Sequence, residues 1–233
     1  MRGLGTLINV FCILLGGIAG SVFKNHLNAR MQESLMTVTG VAVIFLGIGG
    51  TLDKLLALTN AQTIMMILSL ALGTLIGEVL DIEGKVVRFG EWLKQKSNQG
   101  NDASFVNAFV TASCTVCIGA MAVVGAIEDG IYGDYSVLLA KGILDAIIIC
   151  IMSASQGRGC IFSAIPVALF QGSITIIAMF AGSFMSATAL SNLSFVGSIL
   201  IFCVGLNLIR AQQIRVANLL PSLIVAAVWG IWV

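Results

Sequence analysis

Charge is what this sequence has least of. Of its 233 residues only 10% are Asp, Glu, Lys or Arg, whereas 58% are hydrophobic. A soluble domain so poor in charge could not cover its surface with polar groups. Proline is nearly absent, with two in the whole chain, and His26 is the one histidine. The net charge of +1 gives no hint of nucleic acid or of an acidic partner. There is no G-x-S-x-G, no H-E-x-x-H and no P-loop, so nothing specifies an enzyme, a nucleotide or a cofactor, and none is expected. The six cysteines (12, 114, 117, 150, 160 and 203) all lie in or beside apolar segments, which argues against a secreted disulfide framework.

What is present is a series of uncharged runs, each about twenty residues long, the span of a bilayer's hydrocarbon core. The expected fold is therefore an all-α polytopic membrane protein, a single integral membrane domain over residues 1–233. Twenty-six glycines suit helices that pack closely through small residues. Eight spans are expected, at about 4–23, 35–57, 61–80, 105–127, 137–155, 161–185, 194–210 and 217–233; the last is short, so seven remains an alternative. The N-terminal stretch resembles a signal peptide, but it is long and is followed by further spans, so it reads as a retained first span. With eight spans, Lys24, Arg30, Lys85, Arg88, Lys94, Lys96, Arg158, Arg210 and Arg215 share one side, against Arg2 and Lys54 on the other. The positive-inside rule makes the richer side cytoplasmic and places both termini on the opposite side.

The longest loop, residues 81–104, mixes Val86, Val87, Phe89, Trp92 and Leu93 with charged residues, the pattern of an amphipathic helix on the cytoplasmic leaflet. Gly16/Gly20 and Gly73/Gly77 are two G-x-x-x-G helix-packing faces. "AGSVF" (19–23) is similar to "AGSFM" (181–185), "GVAVIFLGIG" (40–49) to "GSILIFCVGL" (197–206), and "SLALGTLIG" (69–77) to "SLIVAAVWG" (222–230), at offsets of 162, 157 and 153. Spans one to three thus read as repeated, inverted, in spans six to eight around a central hairpin of spans four and five, a transporter signature.

The residues that break the apolar rule carry the chemistry. Lys141 and Asp145 are four apart and share one helix face. Asp145 lies on the order of 13 Å into a core about 30 Å thick. A carboxylate there must face protein, water or Lys141. Glu128, Asp129 and Asp134 cluster at the turn between spans four and five, so that Asp129, Lys141 and Asp145 line an outward-facing polar site. Glu78 and Asp53 lie near span ends, where each also fits a plain helix terminus. Gln171 and Asn207 are amides within apolar spans, either interhelical glue or coordinating groups. Cys114, Cys117 and Met121 would offer sulfur to a soft metal, but with no histidine nearby no metal site is expected.

Taken together, "GEVLDIEG", "CIGAMAVVGAIEDG", "VLLAKGILDA", "FSAIPVALFQGSIT" and "GLNLIRAQQIRVANLLPSL" resemble the bacterial inner-membrane family of unknown function typified by YqgA and YdfK, over essentially the whole chain. The resemblance implies a bacterial cytoplasmic-membrane protein, for which transport is the usual guess. It also implies family-pattern positions at Gly125, Asp129 and Gly130, at Lys141 and Asp145, and at Glu78 and Asn207, with Glu128 a departure where a polar amide is expected.

The expectation is a small transporter or channel for an ion or small polar solute, working as a homodimer in the bilayer, with Asp129, Lys141, Asp145, Asn207, Gln171 and Glu78 along the pathway. The competing expectation is a membrane scaffold or sensor in which Lys141 and Asp145 only fix helix register.

Overall fold

The computed structural model describes residues 2–24, 27–56, 60–97, 104–117, 120–181, 186–210 and 214–232. Among these there are ten α-helices and no strand: α1 (Leu4–Lys24), α2 (Ala29–Leu55), α3 (Asn60–Leu80), α4 (Ile82–Lys96), α5 (Phe105–Cys117), α6 (Ala120–Tyr132), α7 (Ser136–Gln156), α8 (Ala164–Ala181), α9 (Ala187–Ile209) and α10 (Pro221–Trp232). Six helical segments, α8 counted with the 3-10 turn before it, are long and apolar enough to cross a membrane. A seventh span arises if α5 and α6, bent by 60° at their junction, count as one. The segment Val216–Gly230, expected as the eighth span, is apolar but shorter. The chain is a polytopic all-α membrane protein.

Its outside is as apolar as its inside. On α1, Leu7, Phe11, Leu15 and Ile18 are exposed, whereas Gly5, Thr6, Asn9, Gly16, Gly17 and Gly20 are buried. That is the reverse of a soluble amphipathic helix, and it is stable only where the surrounding solvent is lipid.

The chain forms two compact units. The first comprises residues 1–39, 87–117 and 121–184. In it α1 lies along α7 at close range: a Cβ on Gly16 would sit 2.9 Å from the Ala146 carbonyl carbon, and one on Gly20 2.8 Å from that of Cys150. Only glycine allows backbones so near. α8 packs antiparallel to α1, with Thr6 Oγ1 and Thr175 Oγ1 3.3 Å apart and Asn9 Nδ2 donating to Gln171 Oε1 at 3.1 Å. α7 ends at Gly157, whose φ of 105° turns the chain into a 3-10 turn over Arg158–Ser163. That turn seats on α5, where Cys160 Sγ donates to the Ala108 carbonyl at 3.7 Å and the Phe105 and Phe162 rings are 5.2 Å apart. The second half of α4 lies on the same helix, Phe89 stacking on Trp92 and meeting Phe109 at 5.9 Å.

The second unit comprises residues 40–86, 118–120 and 185–233. α2 meets α9 antiparallel through Gly40, Gly47 and Gly205, a Cβ on Gly47 falling 2.6 Å from the Phe202 nitrogen. α3 meets α10 and the 3-10 turn before it, Val216–Leu219, antiparallel through Gly73 and Gly77, a Cβ on Gly77 falling 2.6 Å from the Asn218 carbonyl carbon. α9 and α10 are tied by Asn192 Nδ2 donating to the Ala226 carbonyl at 3.3 Å and Ser186 Oγ donating to that of Gly230 at 2.8 Å. The elbow between α3 and α4 turns on Asp81 (φ 46°) and is held by Asn218 Oδ1, which accepts from Glu83 N at 2.7 Å.

The expected fourth span, drawn as one helix over 105–127, is two helices. Residues 182–185, which carry most of "AGSFM", residues 98–103 of the expected cytoplasmic loop and the Asp53 side chain lie outside the described residues.

Candidate functional site

Among the described residues α5 ends at Cys117, which puts the carbonyl of Val116 in its last turn, where carbonyls ordinarily look outside the helix for a donor. In lipid such a group must find a donor in the protein. Lys141 supplies it, reaching from α7 with Nζ donating to the Val116 oxygen at 2.8 Å. The same ammonium donates to Asp145 Oδ2 at 2.5 Å, one turn further along α7. Both side chains are buried, at 8% and 6% exposure. A positive charge at the C-terminal end of a helix is also favoured by the helix dipole. The Asn9 amide is a hydrogen-bonding neighbour of the Asp145 carboxylate. It hands the network on to Gln171 in α8. Asn9 and Gln171 are both fully buried, and among the described residues Asn9 Oδ1 and Gln171 Nε2 have no hydrogen-bond partner.

Three helices and a helix end thus bring Val116, Lys141, Asp145, Asn9 and Gln171 into one polar centre inside the first unit. Removing a single charge would leave the other uncompensated, at a cost of about 3–5 kcal/mol. Cys117 lies within electrostatic reach of both Lys141 and Asp145. Among the described residues no group of three or more His, Cys, Asp or Glu side chains is placed to hold a metal.

The other residues singled out in the sequence have different surroundings. Asp129, in α6, is fully buried and accepts from Gly3 N at 3.1 Å and Gly5 N at 3.0 Å, so its carboxylate closes the N-terminus of α1. Asp134 is exposed and accepts from Ser136 N at 2.9 Å as α7 begins; the Ser136 hydroxyl and amide hold its carboxyl below the usual carboxylate range. Glu78 and Asn207 belong to the second unit. Glu78 Oε2 accepts from Arg215 Nη1 at 3.2 Å on an exposed surface. Asn207 closes the turn after α9, its Nδ2 donating to the Ile214 carbonyl at 2.6 Å and its Oδ1 accepting from Ile214 N at 3.0 Å. Gly16 and Gly20 face α7; Gly73 and Gly77 face the α10 segment. The second unit also has a cavity of about 270 Å³ lined by Ile48, Thr51, Leu52, Leu55, Ile199 and Phe202. Its one polar side chain, Thr51, donates to the Gly47 carbonyl at 2.6 Å within its own helix, so the cavity has little to offer a polar solute.

Sequence reasoning passed over Asn9 and the Val116 carbonyl. A signal for the first was present: Asn9 and Gln171 stand 162 residues apart, the same offset as the first pair of repeat segments. Nothing marked the second, because a backbone carbonyl becomes a ligand only when its helix stops.

Fold and polar centre together define a multi-pass helical membrane protein with an ion pair buried at a helix break. The chain belongs to the family described as "Protein of unknown function (DUF554)", whose profile matches residues 4–231. It is 31% identical over 224 residues to "Uncharacterized membrane protein YdfK" of Bacillus subtilis (strain 168), covering 96% of this chain and 94% of that one. It is 27% identical over 237 residues to "Uncharacterized protein YqgA" of Escherichia coli (strain K12), covering 98% of each. No solved structure matches the chain.

Proposed function

We propose that this protein is a small, non-enzymatic membrane transporter or channel for an ion or small polar solute, with the centre around Lys141 and Asp145 as its working site. The observation that carries the reading is the Lys141 ammonium, buried between Asp145 and the Val116 carbonyl in the last turn of α5. Intramembrane charge is expensive wherever it faces lipid, and it marks ion and proton pathways in membrane proteins. Broken helices whose terminal carbonyls meet a charge near the core are a recurring device of transporters.

The inverted-repeat reading of spans one to three and six to eight supports the same class. Each helix of the first triplet packs antiparallel to its counterpart: α1 on α8, α2 on α9 and α3 on α10. A homodimer in the bacterial cytoplasmic membrane, both termini on the non-cytoplasmic side, completes the proposal; its orientation rests on the nine-to-two bias of Lys and Arg.

A second reading has its own observation. Lys141 and Asp145 sit on the same helix and satisfy one another, as a pair serving only helix register would. Purified wild type, Asp145→Asn and Lys141→Met/Asp145→Leu in liposomes separate the two. Transport predicts a flux of some cation, anion or proton in wild type that both folded variants lose. Silence of all three at equal stability overturns transport and leaves the register reading.

A further inference from the structure

Resting on the reading of this centre as the working site, we infer that it is a monovalent-cation site which the chain's own Lys141 ammonium fills as a tethered substitute. The ligands around Nζ are those a small inorganic cation such as sodium or potassium takes: a backbone carbonyl at a helix's negative end (Val116, 2.8 Å) and one carboxylate oxygen (Asp145, 2.5 Å). Beside them Asn9 carries a fully buried amide oxygen with no partner among the described residues. A protein interior leaves such an acceptor unmet only at a cost, unless something arrives to meet it. Water entering with a cation has two unmet groups to meet, donating to Asn9 Oδ1 and accepting from Gln171 Nε2.

Charge selects the class. Lys141 contributes one positive charge against one carboxylate, so the exchange that keeps the site neutral is ammonium for a single-charged ion. A divalent cation would find no further carboxylate there, since no cluster of three acidic, Cys or His groups exists among the described residues. An anion would have to face Asp145 and the carbonyl end of α5. Transport would then alternate between the Lys141-filled site and the cation-filled site, the lysine swinging out as the ion enters.

The test removes the tether. Full-length Lys141→Ala and Lys141→Gln are purified in detergent containing sodium. Thermal unfolding is then followed in sodium, potassium and lithium chloride against N-methylglucamine chloride at equal ionic strength. Lys141→Ala or Lys141→Gln should gain about 5–10 °C when a small cation stands ~100-fold above its Kd. Wild type, already filled, should not move, and Lys141→Ala/Asp145→Asn should not respond. Equal midpoints in all salts for both single variants overturn the inference, as does an equal rise in the double variant. So does failure of both single variants to fold in high sodium and potassium while the double variant folds. The outcome is separable from the transport test: cation binding without flux keeps the site and removes the transporter, whereas flux with no cation response does the reverse.

Discussion

Alanine at Gly16 or Gly20 tests whether α1 and α7 are held as close as the structure draws them. A Cβ on Gly20 would stand 2.8 Å from the Cys150 carbonyl carbon and 2.9 Å from Ser153 Cβ; one on Gly16 would stand 2.9 Å from both Cα and the carbonyl carbon of Ala146. Ordinary contact begins at 3.4 Å, so alanine at Gly20 forces a separation of at least 0.6 Å (3.4 minus 2.8). The opposing atoms are mostly backbone, so no side chain can rotate out of the way. Overpacking of this kind costs about 1–3 kcal/mol per site. The two costs will not add, because both sites lie on one interface a turn apart. Helix propensity acts in the other direction, alanine being better than glycine by about 0.5–1 kcal/mol in a helix interior, so a net loss must be steric. Gly172 in α8 and Gly49 in α2 have nothing within 4 Å of where a Cβ would stand and serve as controls; alanine there should leave stability unchanged or raise it slightly. The assay is SDS titration into nonionic micelles, following helical circular dichroism. If Gly16→Ala and Gly20→Ala unfold no earlier than Gly172→Ala, the close α1–α7 packing is wrong.

Lys141→Met alone should lower stability by about 3–5 kcal/mol in the absence of small cations, whereas Lys141→Met/Asp145→Leu should be near wild type, both read by the same titration. Asn218→Ala leaves the Glu83 amide without its acceptor and should cost about 1–3 kcal/mol. Glu83 is half-buried, and burial raises its carboxyl above the ordinary 4.5 despite the Ala217 amide and nearby Arg215. The fold therefore favours the protonated form, and this group's contribution falls as pH rises from 4.5 through the folded value. Glu83→Gln should flatten that part of the stability profile, measured as unfolding midpoints across the acid range. In a chain whose other cysteines are serine, Cys117 should react with a small cationic thiosulfonate if water reaches the polar centre, and a lone Cys160, which is fully buried, should not; equal rates from mass spectrometry would place Cys117 outside any wet path.

Helices were legible because lipid makes the rule simple: apolar runs of bilayer length must satisfy their own backbone, so they form helices. Lys141 and Asp145 were legible for the complementary reason, since a charge in such a run is an exception that needs a partner, and four-residue spacing supplies one. What hydropathy could not convey was interruption. The residues from 105 to 127 carry no charge and read as one span, yet α5 and α6 meet at 60°. Averaged over a window, two bent helices score like one straight one. Asp129 reads from the sequence as lining an outward-facing polar site with Lys141 and Asp145 and not as a buried cap, because its partners, the amides of Gly3 and Gly5, lie some 125 residues away. Asn207 and Glu78 look like Lys141 and Asp145 by type alone; only their surroundings, a turn closure and an exposed ion pair, set them apart.

The break in α5–α6 and the charge in α7 are physically one feature. A helix that stops inside the bilayer exposes carbonyls at its negative end, and lipid offers them no donor. Among residues long enough to bridge from a neighbouring helix, a lysine meets that need with a full charge. A lone ammonium there would itself be untenable, which requires a carboxylate within hydrogen-bonding reach, and the nearest place on the same face is four residues on. Asp145 stands there, and Asn9 and Gln171 extend the same polar surface into α1 and α8. A pair wanted only for helix register would not need the broken helix, and a break wanted only for curvature would be met more simply by a serine or threonine hydroxyl. Their coincidence at Val116, where Lys141 Nζ meets the end of α5, is the observation on which the proposed cation site rests.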